Sequence, residues 1–327
     1  MIASALALAG CASANRANGA QGAAPEGQTR IVKDIDGVEV TVPTHPARVV
    51  TLSEPTTDGA LALGVHPIGV VAGRGQADVS NYLKPIAGDV PILGVIGTPN
   101  YEAIGAAKPD LILVDGTSVN NNPEALRILR QIAPVVFTGY AGGDWRVNFE
   151  IVSDALNKVE EGKAFLAGHD AKVADVSARL EAKGLLDQTF SIVRWQGNGA
   201  GLILKELPPG KALTALRMAR PASQDKEGRG HSEPVSLENI DQIDADWIFF
   251  GTLGGSSVGN PQAGGELGVE ASAKALEEAK QVPGFAALHA VKANQVIPVD
   301  GSVWTSTGGP LLMERIIDDI AHHFLTN

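Results

Sequence analysis

The chain has 327 residues, 44% of them hydrophobic, 19% charged and 5% aromatic, a composition that excludes collagen-like, disordered and multi-span membrane proteins and suits two domains of about 150 residues. Lys and Arg number 26 against 37 Asp and Glu, a formal net charge of -11, which argues against sequence-independent binding to nucleic acid and against adhesion to anionic lipid through side chains. The single cysteine, Cys11, excludes disulfides within the chain and multi-cysteine metal sites.

The first ten residues, MIASALALAG, are apolar or small, and Cys11 follows Leu8-Ala9-Gly10. Leu-Ala-Gly-Cys resembles the lipobox of bacterial lipoproteins, in which the cysteine is lipidated and becomes the new N-terminus. Residues 1–11 are therefore expected to be a signal remnant with its lipidation site. A leader also carries a basic region ahead of its apolar stretch, and no Lys or Arg precedes Cys11, so the true start is expected upstream. Residues 12–29 are rich in Ala, Gly, Asn and Gln without an apolar period, as in a flexible tether. The body is expected outside the cytoplasm, held to the cell membrane by the lipid alone.

Residues 31–42 alternate around Asp36-Gly37, a two-residue hairpin signal. Pro43 and Pro46 break the pattern before Arg48-Val49-Val50-Thr51-Leu52, a buried strand by composition. Short apolar runs at 68–72, 90–93, 111–114 and 135–137 then alternate with helix-like stretches, the pattern of an α/β layer with a mainly parallel sheet. From Lys158 to Lys183 there is no proline, and Phe165, His169, Val173, Val176 and Leu180 share one helical face, with Gly184 as the C-terminal stop. Strands follow at 190–195, 202–204, 247–250 and 296–299, and a closing helix at 311–325. The two halves share an internal match: Glu102-Ala103-Ile104 precedes Asp110, and Glu238-Asn239-Ile240 precedes Asp246, each Asp leading into an apolar strand.

With these residues in view, the chain resembles the substrate-binding lipoproteins of ABC importers for ferric siderophores, a group that includes vitamin B12 carriers. The resemblance rests on Arg48 to Ser53 followed by Leu61-Ala62-Leu63-Gly64-Val65, and on Pro99-Asn100-Tyr101-Glu102-Ala103-Ile104 with Lys108-Pro109-Asp110-Leu111-Ile112. It continues through Ser191-Ile192-Val193-Arg194-Trp195 and Arg220-Pro221-Ala222-Ser223-Gln224, which are similar to actinobacterial-type siderophore binders. Trp304, Gly308-Gly309-Pro310 and Ile317-Asp318-Asp319-Ile320 match the family's closing loop and helix. It implies two Rossmann-like α/β lobes, 30–150 and 187–327, joined by a long rigid helix within 151–186, with the ligand cleft between them. It also implies that Glu102 and Glu238 dock onto an ABC permease; from the residues alone, both carboxylates equally suit the starts of their helices.

A ferric siderophore brings its own iron, so the resemblance implies no intrinsic cofactor and no protein metal ligand. The cleft then needs aromatic walls and a few cations or donors. Candidates at expected loop mouths are Arg74, Tyr101, Trp145, Arg194, Trp195, Arg217 and Trp304, with Arg229 behind them. Trp145 equally suits a seat for the long helix, Arg74 a solvated loop charge. Trp247 reads as core, and Lys205, Glu206 and Lys211 as solvated charges. Many Trp and few Arg lean toward a near-neutral hydroxamate or mixed chelate. The implied function is a monomeric, non-enzymatic receptor that captures a ferric siderophore and hands it to an ABC permease.

The alternatives are a carrier of the same fold for haem or a corrinoid, and a secreted metal-binding or hydrolytic lipoprotein. Gly255-Ser256-Ser257-Val258-Gly259 matches G-x-S-x-G but runs on into Asn260-Pro261, where a nucleophile elbow needs a helix. Gly197, Gly199 and Gly201 lack dinucleotide-fingerprint spacing. The seven His, including His231 and the pair His322-His323, contain no H-x-x-x-H zinc spacing.

Overall fold

The computed structural model describes residues 27–119, 122–197, 199–228, 232–254 and 267–326. Cys11, most of the expected tether, Arg229, His231 and the 255–259 motif lie outside them. The chain enters as an antiparallel hairpin, β1 (Thr29–Lys33) and β2 (Glu39–Pro43), with Val32 opposite Val40. Its connection differs from the two-residue turn expected at Asp36-Gly37. Residues 34–38 form a wider loop because the Asp34 carboxylate accepts the amides of Asp36 and Val38, both at 2.9 Å, and Gly37 takes the left-handed conformation (φ 75°).

The N-terminal lobe is built on a six-stranded sheet. Its strands are β3 (Val49–Thr51), β4 (Gly69–Ala72), β5 (Ile92–Val95), β6 (Thr98–Pro99), β7 (Leu111–Val114) and β8 (Val135–Phe137), in the spatial order β6-β5-β4-β3-β7-β8. All neighbours are parallel except the short β5–β6 pair. Strands β3, β4, β7 and β8 are buried at every position, which is why they read as unbroken apolar runs: a parallel strand is covered on both faces. The run expected at 90–93 pairs two residues later, because Pro91 has no amide to donate and serves as an acceptor for Val70 N–H (2.9 Å).

The C-terminal lobe carries a five-stranded sheet of β9 (Phe190–Gln196), β10 (Gly199–Leu202), β11 (Glu233–Val235), β12 (Trp247–Thr252) and β13 (Val296–Pro298), ordered β11-β10-β9-β12-β13. β9, β12 and β13 are parallel; β10 folds back antiparallel on β9. β10 starts earlier than the 202–204 run because Gly199, Ala200 and Gly201 pair with β9 ahead of Leu202, their strand state imposed by β9 and not by their own propensity.

The long helix is Val159–Ala182, roughly 36 Å at about 1.5 Å per residue. It stops where Gly184 adopts φ 70°. Its early turns meet the N-terminal lobe, Phe165 standing edge-on to Phe149 at 5.5 Å. Its late turns bury Val176 and Leu180 in the C-terminal core with Leu216 and Ile320. One rigid element therefore belongs to both lobes. The terminal helix, Pro310–Leu325, returns to pack against the helix Glu54–Ala62 of the first lobe.

Candidate functional site

The carboxyl ends of the parallel strands of the first lobe point to the boundary with the second, where open α/β sheets place ligands. Glu54 follows β3, Arg74 follows β4 and Asp115 follows β7; Arg194 lies near the end of β9 in the opposite lobe. All four side chains are buried, at 4%, 5%, 1% and 4% exposure. Asp115 accepts from Thr117 Oγ1 (2.5 Å) and from the Thr117 and Ser118 amides. Burial, only partly offset by these bonds, pushes its pKa up to about 6.

Arg74 and Arg194 are brought together across the lobe boundary. Burial, and then the nearby Arg74 guanidinium, pull the Arg194 pKa down to about 10. Two like charges removed from water and held near each other are costly unless a counter-charge joins them. The Arg74 Nε is buried with no hydrogen-bond partner among the described residues. The third buried arginine, Arg220, entered the sequence analysis within a family motif and not as a ligand candidate. It donates to Ile203 O and Gln224 Oε1, its Nε and Nη1 have no hydrogen-bond partner among the described residues, and it is pulled down to about 10 by burial against the attraction of Asp225 and Glu206. Its signal was present as the Arg220-x-x-x-Gln224 spacing within a Pro-containing segment, but burial is not visible in a loop sequence.

A narrow hollow opens between the lobes, bordered by Pro55, Asp115 and Tyr140 on one side and Glu206, Pro208 and Thr307 on the other. Glu206 is thus not a solvated charge; it is 9% exposed and accepts the Gly228 amide at 2.9 Å. Trp145 also borders the hollow, yet it is 6% exposed and stands edge-on to His169 of the long helix at 5.1 Å. The seat for the helix is the role its packing supports.

The remaining candidates are engaged in packing or surface contacts. On β9, Phe190 and Ile192 face one core while Val193 and Trp195 face another. Consecutive strand residues point to opposite faces, so Arg194 and Trp195 do not share the cleft, and Trp195 packs on Phe250 and Phe285 at 5.7 and 5.2 Å. Trp304 is fully buried, stacked on Phe249 at 4.2 Å, with its indole N–H donating to Asp319 at 3.0 Å. Arg217 is exposed at φ 61° and grips the long helix through Ser177 (3.0 Å) and Glu181 (2.6 Å). Tyr101 packs partly buried against the first lobe's core. Trp247, expected in the core, is half-buried and borders a surface hollow of about 490 Å³ with His322 and His323, on the C-terminal lobe. Trp195 and Trp304 are thus engaged by core partners, which removes two of the aromatic walls expected for a near-neutral chelate.

Glu102 and Glu238 are exposed, each in the first turn of a short helix, Tyr101–Ala106 and Leu237–Ile243. Among the described residues no three His, Cys, Asp or Glu side chains gather as metal ligands, and no helix is long and apolar enough to cross a membrane.

The chain is similar to a probable siderophore-binding lipoprotein of Bacillus subtilis (strain 168), YfiY, at 30% identity over 91% of this chain and 88% of the relative. It is 27% identical to the Fe(3+)-citrate-binding protein YfmC of the same organism, over 96% and 92% of the two chains. Among solved structures, Staphylococcus aureus SirA complexed with staphyloferrin B superposes with a TM-score of 0.72 at 27% identity, covering 90% of this chain and 98% of that one. The family model described as periplasmic binding protein matches residues 49–303. With two α/β lobes, a bridging helix and buried cations at their boundary, the chain belongs to the periplasmic binding protein family.

Proposed function

We propose that this protein is an extracytoplasmic receptor that captures a ferric siderophore between its lobes and delivers it to an ABC permease, catalysing no reaction itself. The observation that carries this reading is the burial of two arginines, Arg74 just past the carboxyl end of β4 in one lobe and Arg194 near the carboxyl end of β9 in the other. An anionic chelate with carboxylate or hydroxycarboxylate oxygens suits such a pair, because guanidinium forks match those oxygens bidentately. Relatives named for siderophore and ferric-citrate binding support the same class. Lipid attachment at Cys11 is part of the reading and is supported by the lipoprotein description of YfiY. Iron arrives within the chelate, so no resident cofactor is required. Glu102 and Glu238, one exposed carboxylate per lobe, are the docking points for the permease.

Because Trp195 and Trp304 lie in the core, calorimetry tests this better than tryptophan quenching. Ferric citrate, a ferric hydroxamate, a ferric catecholate, haem and B12 are titrated in parallel into wild type, Arg74→Gln and Arg194→Gln. Saturable binding of an anionic ferric chelate, weakened about tenfold or more by each substitution, is expected, since hydrogen bonds to charged groups are worth roughly 1.5–3 kcal/mol. Preference for haem, B12 or a neutral hydroxamate, unaffected by either substitution, overturns the anionic reading.

A further inference from the structure

We propose that Glu54 is a positioning residue for ligand capture: it fixes the loop that presents Arg74 and ties that loop to the opposite lobe. The inference rests on the reading of Arg74 as a ligand contact. Glu54 is the first residue of the helix Glu54–Ala62, a place where a carboxylate ordinarily faces solvent, yet it is 4% exposed. A buried carboxylate persists only if its oxygens are satisfied, and here both are. Oε1 accepts the Arg74 amide at 3.0 Å and Ser80 Oγ at 2.8 Å. Oε2 accepts Ser306 Oγ at 3.4 Å and Thr307 Oγ1 at 3.2 Å, from the other lobe.

The bond to Arg74 is made to its backbone. Glu54 therefore fixes where the residue sits without occupying its guanidinium, whose Nε has no hydrogen-bond partner among the described residues. The loop is shaped for this hold. A Cβ on Gly73 would meet Ser80 Oγ at 2.5 Å and Ser80 Cα at 2.9 Å, so only glycine lets the strand end close onto Ser80. The Gly73 amide donates to Asp78 O at 2.9 Å, and Gly75 takes φ 70°. One oxygen of Glu54 thus grips the closed loop at both ends, and the other grips the segment leading into the terminal helix. A change in lobe angle at Ser306 and Thr307 reaches Arg74 through a single carboxylate.

The test combines a ligand-free readout with a double-mutant cycle, using wild type, Glu54→Gln, Arg74→Gln and the double variant. In Glu54→Gln, hydrogen exchange at the Arg74 amide is expected to quicken about tenfold while exchange in β7 stays unchanged. Ferric citrate titrated by calorimetry is expected to bind about tenfold more weakly to Glu54→Gln, and the double variant no more than about threefold more weakly than Arg74→Gln alone. Unchanged exchange at Arg74, or losses of affinity that simply add, overturn the positioning role. If Arg74→Gln binds as wild type does, the capture reading fails, while the exchange rates still decide whether Glu54 holds the loop. Should Glu54→Gln not fold, Ser80→Ala removes one donor of the same grip and must quicken the same amide; an unaltered rate again overturns the proposal.

Discussion

Asp110 and Asp246 occupy the same place in the two lobes. Asp110 precedes β7 and accepts the amides of Ala47 and Arg48, at 2.8 and 2.9 Å, just ahead of the neighbouring parallel strand β3. Asp246 precedes β12 and accepts the amide and hydroxyl of Thr189, at 2.7 and 2.8 Å, just ahead of its parallel neighbour β9. Each Asp follows an exposed first-turn glutamate, Glu102 or Glu238, by the same sequence interval. The match read along the sequence is therefore a repeated structural unit: a short helix, an aspartate staple and a central strand.

Asp246→Ala is expected to lower stability by about 0.5–1.5 kcal/mol, because a part-buried backbone N–H and a hydroxyl exchange their acceptor for water. The Thr189 backbone bond holds the Asp246 carboxyl below its usual range. A depressed carboxylate contributes stability above its unfolded pKa and loses it as pH falls through the folded value. Urea unfolding should thus show wild type and variant converging below about pH 4. A gap that stays constant to low pH sinks the staple.

Trp195→Ala and Trp304→Ala are expected to cost about 3–5 kcal/mol of stability each, the usual range for a buried aromatic cut to alanine. Affinity per folded molecule should stay near wild type, since both rings are spent on core partners, Phe250 and Phe285 for one and Phe249 for the other. Denaturant unfolding alongside calorimetry separates the two effects. Stable variants with lost affinity would return these rings to the cleft.

Much of this fold was legible because burial on both faces of a parallel strand writes itself as an apolar run, and a two-lobe helix as one long unbroken period. The residues 111–114, 135–137 and 159–182 show this directly. The site was less legible because it depends on which face of one strand meets the other lobe. Arg194 and Trp195 are adjacent in sequence, yet one lies at the boundary and the other inside a core. Glu54, Asp58 and Arg220 are buried only through tertiary packing, and as polar letters near turns they look like surface.

Glu102→Ala and Glu238→Ala, singly and together, should abolish or sharply reduce uptake while calorimetric affinity stays within about twofold. Exposed rim charges govern encounter and register more than ligand binding. Both side chains stand on the surface, whereas Arg74 and Arg194 are buried. Loss of ligand affinity in either variant would remove the docking assignment.

Asp58 supplies the last prediction. It belongs to the first lobe, is fully buried, and accepts the Gly309, Leu311 and Leu312 amides at 3.0, 2.8 and 3.0 Å and the Tyr82 hydroxyl at 2.8 Å. It thereby caps the terminal helix of the other lobe, whose free N–H groups need an acceptor. Gly309 permits the approach, since a Cβ there would come within 2.9 Å of Asp58 Oδ1. Burial outweighs these four bonds and pushes the carboxyl up to about 6. A raised carboxyl contributes stability that is complete below its unfolded value near 4 and is lost as pH rises through the folded value. From about pH 4 to 6 wild type should therefore lose on the order of 3 kcal/mol through Asp58, with Asp115 contributing in the same direction and window. Asp58→Asn does not titrate, so its stability should fall less over that window, while at pH 4 it should be the less stable protein because its amide presents hydrogens to donors. Urea unfolding at half-unit steps from pH 4 to 7 measures both. Parallel pH profiles for the two proteins would mean that the interlobe cap is not set by this proton.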